Sequence, residues 1–151
     1  MPEVAAFVPD IREIIVHSRE IDGDRVILHN EWVSDRDVPK VASKILKPEH
    51  LRWDDYATWY GSEHRCEWVI KMRAFTQAVD CHGQTRLVED GEGCRVVLEG
   101  DLNLDLREVP GVPGFLGSRL APQIEKFIVS LITPNLERTN AAIGRFLDTQ
   151  G

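Results

Sequence analysis

The stretch VPGVPGFLGSRLAPQIEKFI, residues 109–128, sets Gly111, Gly114 and Gly117 ahead of an apolar helical pattern. A glycine-rich loop that opens a helix can cradle a phosphate with its backbone N–H groups. The remaining parts of that chemistry are missing. A P-loop needs Gly-Lys-Ser/Thr, and here Gly117 is followed by Ser118 and Arg119. A dinucleotide fingerprint needs G-x-G-x-x-G inside a βαβ unit, whereas the residues before this loop read as an antiparallel meander. The loop is therefore expected to be a strand-to-helix connector, stiffened by Pro110 and Pro113, and whether its Phe115 and Leu116 also act as a flexible lip over a ligand stays open.

Metal and nucleophile chemistry fare no better by spacing. The histidines are His17, His29, His50, His64 and His82, with no H-x-x-x-H pair and no C-x-x-C. Cys81 and His82 are adjacent, so in a strand they point to opposite faces. The expectation is no metal and no cofactor. Cys66 and Cys94 fall on the apolar parity of their strands, which suits small buried hydrophobes better than thiolate nucleophiles. No G-x-S-x-G occurs.

These residues must be carried by elements, and the hydropathy pattern names them. β-rich runs at Ile11–Glu20 and Arg25–Ser34 flank the hairpin signal DGD. A helical turn is expected near Val41–Leu46. LRWDDYATWY and RCEWVIKMRA form a second hairpin around Gly61–His64, with Cys66, Trp68, Ile70 and Met72 on one face. AVDCHGQTRLVED is a further strand, in which Gly83 signals a bulge or a close approach. In CRVVLEGDLNLDL, Cys94, Val96, Leu98, Leu102 and Leu104 alternate with charged or amide side chains, as in a sheet covered on one side. Beyond the connector the period turns helical: Leu120, Ile124, Phe127, Ile128, Leu131 and Ile132. Ser118 is the expected N-cap, Pro122 falls in the first turn, and Pro134 is expected to kink the helix. About thirty residues would give roughly 45 Å of helix.

Trp53, Trp59 and Trp68 share the apolar parity of their strands. They suit either core packing or the lining of a ligand cavity. Asn30 and Asp55 interrupt otherwise apolar faces, either to orient a ligand or as edge residues facing solvent. Composition bounds the rest. The chain has 151 residues and a net charge of -7, which suits one domain (1–151) and argues against a nucleic-acid footprint. No apolar run reaches the roughly 18 residues of a membrane span, so no stable membrane insertion is expected. The start lacks a basic n-region, and the odd cysteine count fits buried thiols in a reducing, cytoplasmic setting.

The runs CHGQTRLVEDGEGCRVVLEGDLNLDL and VPGVPGFLGSRLAPQIEKFIVSLITPNLERTNAAIGRFL, together with VPDIREIIVHSREIDGDRVILHNEW, resemble the START, polyketide-cyclase and pathogenesis-related allergen superfamily (SRPBCC). The resemblance covers nearly all the chain and rests on the order of elements. It implies an α+β helix-grip fold: a curved antiparallel sheet of about six strands gripping a long C-terminal helix. It also implies a cavity for a hydrophobic ligand such as a lipid or polyketide-like molecule, lined by Trp53, Trp59, Trp68, Ile70, Leu98, Phe127 and Leu131. Members begin with a strand and helix that this chain does not show, and the expectation is a homodimer covering the exposed edge. Whether the cavity carries or transforms its ligand stays open. In a cyclase-like enzyme Asp55 and Asn30 would move protons, and in a third reading the chain serves only association.

Overall fold

A computed structural model describes residues 6, 8, 10–40, 42–91, 93–109 and 112–148. At positions 116, 117, 131–137, 139, 140, 142–144 and 146–148 it describes the backbone alone. Six strands follow one another as a pure antiparallel meander: β1 (Ile11–Asp22), β2 (Arg25–Ser34), β3 (Arg52–Tyr60), β4 (Arg65–Met72), β5 (Val79–Asp90) and β6 (Gly93–Leu104). A short 3-10 turn at Leu106–Glu108 leads to one long helix, α1 (Gly114–Asp148). The architecture is α+β, a curved six-stranded sheet with a C-terminal helix, as the alternating and then helical periods predict.

The turns have local causes. Gly23 adopts φ 57 in the β1–β2 hairpin, a left-handed backbone that glycine enters without steric cost. Asp24 of that turn accepts from the Ser62 backbone N–H (2.8 Å) and hydroxyl (2.6 Å), tying the first hairpin to the second. After β2, a bond from Leu46 N–H to the Ala42 carbonyl (2.8 Å) closes the expected turn, whose first residue, Val41, lies outside the described residues.

The core lies on one face of the sheet. Ile14, Trp32, Trp53, Ala57, Cys66, Trp68, Ile70, Met72, Val79 and Cys81 are buried there with Ile124, Phe127 and Ile128 of α1. The helix runs across the sheet from the β6 side to the β1 side. Its start packs near Leu106–Glu108 and β6, and Arg138 Nη1 reaches Asp10 Oδ2 at 3.1 Å, just before β1. Between these ends Arg36 Nη1 donates to the Ser130 carbonyl at 2.6 Å, and its guanidinium lies 5.5 Å from the centre of the Phe127 ring. Six strands are about 24 Å wide and 35 helical residues about 52 Å long, so the helix is longer than the sheet it crosses.

Three expectations are corrected here. α1 starts at Gly114, not after Ser118, and the Ser118 hydroxyl bonds back to the Phe115 carbonyl (3.1 Å) instead of capping. Pro122 therefore lies beyond the first turn, and the helical backbone continues through both Pro122 and Pro134. Cys94 is exposed, because the β5–β6 hairpin tip runs past the core; Cys66 and Cys81 are buried.

Candidate functional site

Sheet register assembles the inner face. One continuous row runs Asn30, Asp55, Ile70, Cys81 and Leu102, each directly opposite the next. The rows on one side carry Trp32, Trp53 and Met72. Those on the other carry Leu28, Ala57, Trp68, Gly83 and Gly100, and then Val26, Trp59, Cys66, Thr85 and Leu98. Alternation thus brings Asn30, Trp53, Asp55, Trp59, Trp68, Ile70 and Leu98 to one surface. Trp53, Trp68, Ile70 and Phe127 belong to the buried core, whereas Trp59, Leu98 and Leu102 are partly exposed at its margin. Phe115 is 71% exposed in the first turn of α1, and the side chains of Leu116 and Leu131 lie outside the described residues.

Trp68 is seated by the two glycines of its row. A Cβ on Gly83 would overlap the Glu99 carbonyl oxygen and lie 2.5 Å from Trp68 Cζ2; one on Gly100 would lie 2.6 Å from Trp68 Cη2. The register between β5 and β6 is unbroken, so Gly83 marks a close approach and not a bulge. The indole lies over the bare backbone and donates from Nε1 to Thr85 Oγ1 at 3.2 Å. Trp32 and Trp53 stack on the far side of the Asn30–Asp55 row, 6.2 Å between ring centres and 8° from parallel.

Within this aromatic surface sits a buried amide. Asn30 is 0% exposed, and neither its amide nitrogen nor its oxygen has a hydrogen-bond partner among the described residues. Trp32 Nε1 is in the same condition. Both stand beside the Asp55 carboxyl, which is only half-buried by surface yet hemmed in by protein. Burial pushes its pKa up, against the Asn30 amide, the Trp32 indole and the His29 ring, which favour the charge. The two amide atoms and the indole N–H still fall short of ordinary hydrogen-bond geometry with it. Leaving such groups unpaired costs about 1–3 kcal/mol each, so an apolar core alone has no use for them.

The outer face carries a second constellation that spacing does not announce. His17, His29 and Asp54 bring their ligand atoms within 4.8 Å of one another. His17 Nε2 is 2.8 Å from Glu31 Oε2, and His29 Nε2 is 2.7 Å from Asp54 Oδ1. Burial raises the Glu31 and Asp54 pKa values, but hydrogen bonds and charges from His17, Arg52 and Arg73 (Glu31) and from Arg73 and His29 (Asp54) outweigh it and hold both low. Beside the cluster, an open groove of about 560 Å³ is lined by His29, Tyr56, Thr58, Glu67, Val69 and His82, among others. No described helix is long and apolar enough to cross a membrane.

No family profile and no curated protein matches the chain. Among solved structures it is similar to TTHA0849 from Thermus thermophilus, with a TM-score of 0.56 and 22% identity over 92% of this chain and 82% of that one. At that identity the likeness shows the fold alone.

Proposed function

We propose that this is a helix-grip carrier whose cavity, between the inner face of the sheet and α1, binds a hydrophobic small molecule of lipid or polyketide-like character. The observation that carries this reading is the Asn30 amide, fully buried and unpartnered inside an aromatic surface. Pockets of this kind are mostly apolar, with few polar groups that orient the ligand. Trp59 and Leu98 supply partly exposed apolar walls, and Asn30, Asp55 and Trp32 Nε1 meet a hydroxyl or carbonyl of the ligand. The raised pKa of Asp55 favours a second reading, a cyclase- or dehydratase-like enzyme in which this carboxyl gives and takes a proton. Pairing of two chains along the β1 edge belongs to the same proposal, and a strictly monomeric sedimentation profile at high concentration would remove that element of it.

Native mass spectrometry of protein purified from cells tests the carrier. An apolar molecule should co-purify with the wild type and be lost from Asn30→Leu, which keeps volume and removes the amide. A wild-type protein that carries no ligand and whose tryptophan emission ignores a panel of fatty acids and aromatic polyketides would overturn the reading.

A further inference from the structure

The outer face of the sheet, opposite the proposed cavity, gathers two histidines and two carboxylates around one guanidinium. In β1 the ladder to β2 shifts between Val16 and Ser18, so that His17 is an extra residue with no partner of its own in the register. Such bulges re-aim a side chain and are over-represented beside active sites. Here the bulge sets the His17 ring beside that of His29, 4.8 Å between centres. The His29 ring also stacks on Tyr56, at 4.4 Å and 13°. Glu31 is 2% exposed, and Arg52 fixes its Oε1, which leaves Oε2 turned toward His17.

The centre of this group is a cation position. Arg73 Nη2 lies 2.8 Å from Glu31 Oε2, 3.0 Å from Asp54 Oδ1 and 3.3 Å from His17 Nε2. The arrangement conflicts with itself at one atom. His17 Nε2 faces Glu31 Oε2, which can only accept, and Arg73 Nη2, which can only donate. One ring nitrogen cannot answer both. A metal ion in the place of the guanidinium would take lone pairs from imidazole and carboxylate alike, with the histidines neutral, and would remove that contact.

We propose that His17, His29 and Asp54 form a binding site for a first-row divalent cation, which takes the place of the Arg73 guanidinium. Two imidazoles and one carboxylate suit Zn²⁺ and its neighbours, and they leave coordination positions open. Two ligands each about 2.1 Å from an ion in tetrahedral geometry stand about 3.4 Å apart, so the present group, within 4.8 Å, must draw in by somewhat over an ångström when Arg73 leaves. Glu31 Oε2, 2.8 Å from His17 Nε2, then enters as a fourth ligand. His29 belongs both to this cluster and to the adjoining groove, so an ion held here would face a space large enough for a small anionic or carbonyl-bearing molecule.

The test uses the full chain and Zn²⁺ alone. In imidazole-detected NMR, Zn²⁺ should shift the His17 and His29 rings saturably and leave His50, His64 and His82 unchanged. By calorimetry, Arg73→Ala should bind Zn²⁺ roughly tenfold or more tightly, since the competitor is gone. Asp54→Asn and His29→Ala should bind it roughly tenfold or more weakly. The NMR arm needs no variant and so does not depend on the folding of any. Silent His17 and His29 rings in both the wild-type and Arg73→Ala proteins, or equal shifts at all five histidines, would show an ordinary salt-bridge network and overturn the proposal.

Discussion

The seat of Trp68 allows a prediction that separates two kinds of crowding. At Gly83 an added Cβ would meet backbone: the Glu99 carbonyl oxygen, and the Gly100 Cα at 2.7 Å, besides Trp68 Cζ2. At Gly100 it would meet chiefly the indole, with Cη2 at 2.6 Å and Cζ2 at 3.1 Å, and the His82 carbonyl at 2.9 Å. Contacts between carbon atoms are comfortable near 3.5–4.0 Å, so each site needs a shift of about an ångström. Overpacking of this kind costs about 1–3 kcal/mol. Loss of glycine's freedom in the unfolded chain returns about 0.4–1 kcal/mol. Gly83→Ala, which must push β5 and β6 apart, should fall at the upper end, about 2–2.6 kcal/mol net, with Gly100→Ala about 1–2 kcal/mol. For a chain of this length the first corresponds to a fall in Tm of roughly 5–10 °C. Trp68→Leu removes the far ring that Gly100→Ala strikes, but leaves the Glu99 carbonyl that Gly83→Ala strikes. A double-mutant cycle by urea unfolding, followed by circular dichroism, should therefore give a favourable coupling of about 1 kcal/mol between Trp68→Leu and Gly100→Ala, and much less with Gly83→Ala. If Gly83→Ala unfolds within about 0.5 kcal/mol of the wild type, or if both couplings are equal, the indole is not seated on bare backbone as described.

Two further outcomes follow from the same geometry. Burial pushes the Cys66 thiol up to about 12 and the Cys81 thiol to about 11, whereas Cys94 is exposed. Brief iodoacetamide treatment at mildly alkaline pH, read by peptide mass spectrometry, should label Cys94 and reach the other two only after unfolding; equal labelling would contradict the burial. Asp55 and Glu31 should act oppositely on acid stability. Asp55, raised by burial, binds its proton more tightly folded than unfolded, so its contribution to stability falls as pH rises from 3.8 through its folded value. Glu31, held low against its burial by its histidine and arginine partners, contributes stability above 4.5 that is lost as pH falls through its folded value. Asp55→Asn should thus gain on the wild type as pH rises toward neutral, and Glu31→Gln should lose; urea midpoints across pH 3–7 would expose a reversed order at once.

The meander was legible because it depends on local signals: period-two alternation in the strands, and short polar turns between β1 and β2, β3 and β4, and β5 and β6. Asn30 and Asp55 each stand out by parity alone, and strand pairing then places them face to face. Whatever depends on a diagonal across strands was not legible. His29 and Asp54 are 25 residues apart, and His17 reaches them only through a bulge that no residue type announces. Ligand-spacing rules look along one element, so a site shared by three strands escapes them. The start of α1 misled for a different reason. A serine hydroxyl can cap a helix or turn back on the preceding turn, and Ser118 does the second. Gly100 escaped notice because only the position of the Trp68 ring gives it a task.

Strand β2 carries His29, Asn30, Glu31 and Trp32 in immediate succession, and the pleat deals them alternately to the two sides of one ribbon. Substitutions can therefore alter the aromatic side and the histidine side separately, as if they belonged to different proteins. A single inserted or deleted residue inside Arg25–Ser34 would trade the two sets, putting Glu31 and His29 among the tryptophans and Trp32 in water. Change by point mutation is open to this strand on either side, while change in its length is closed to both.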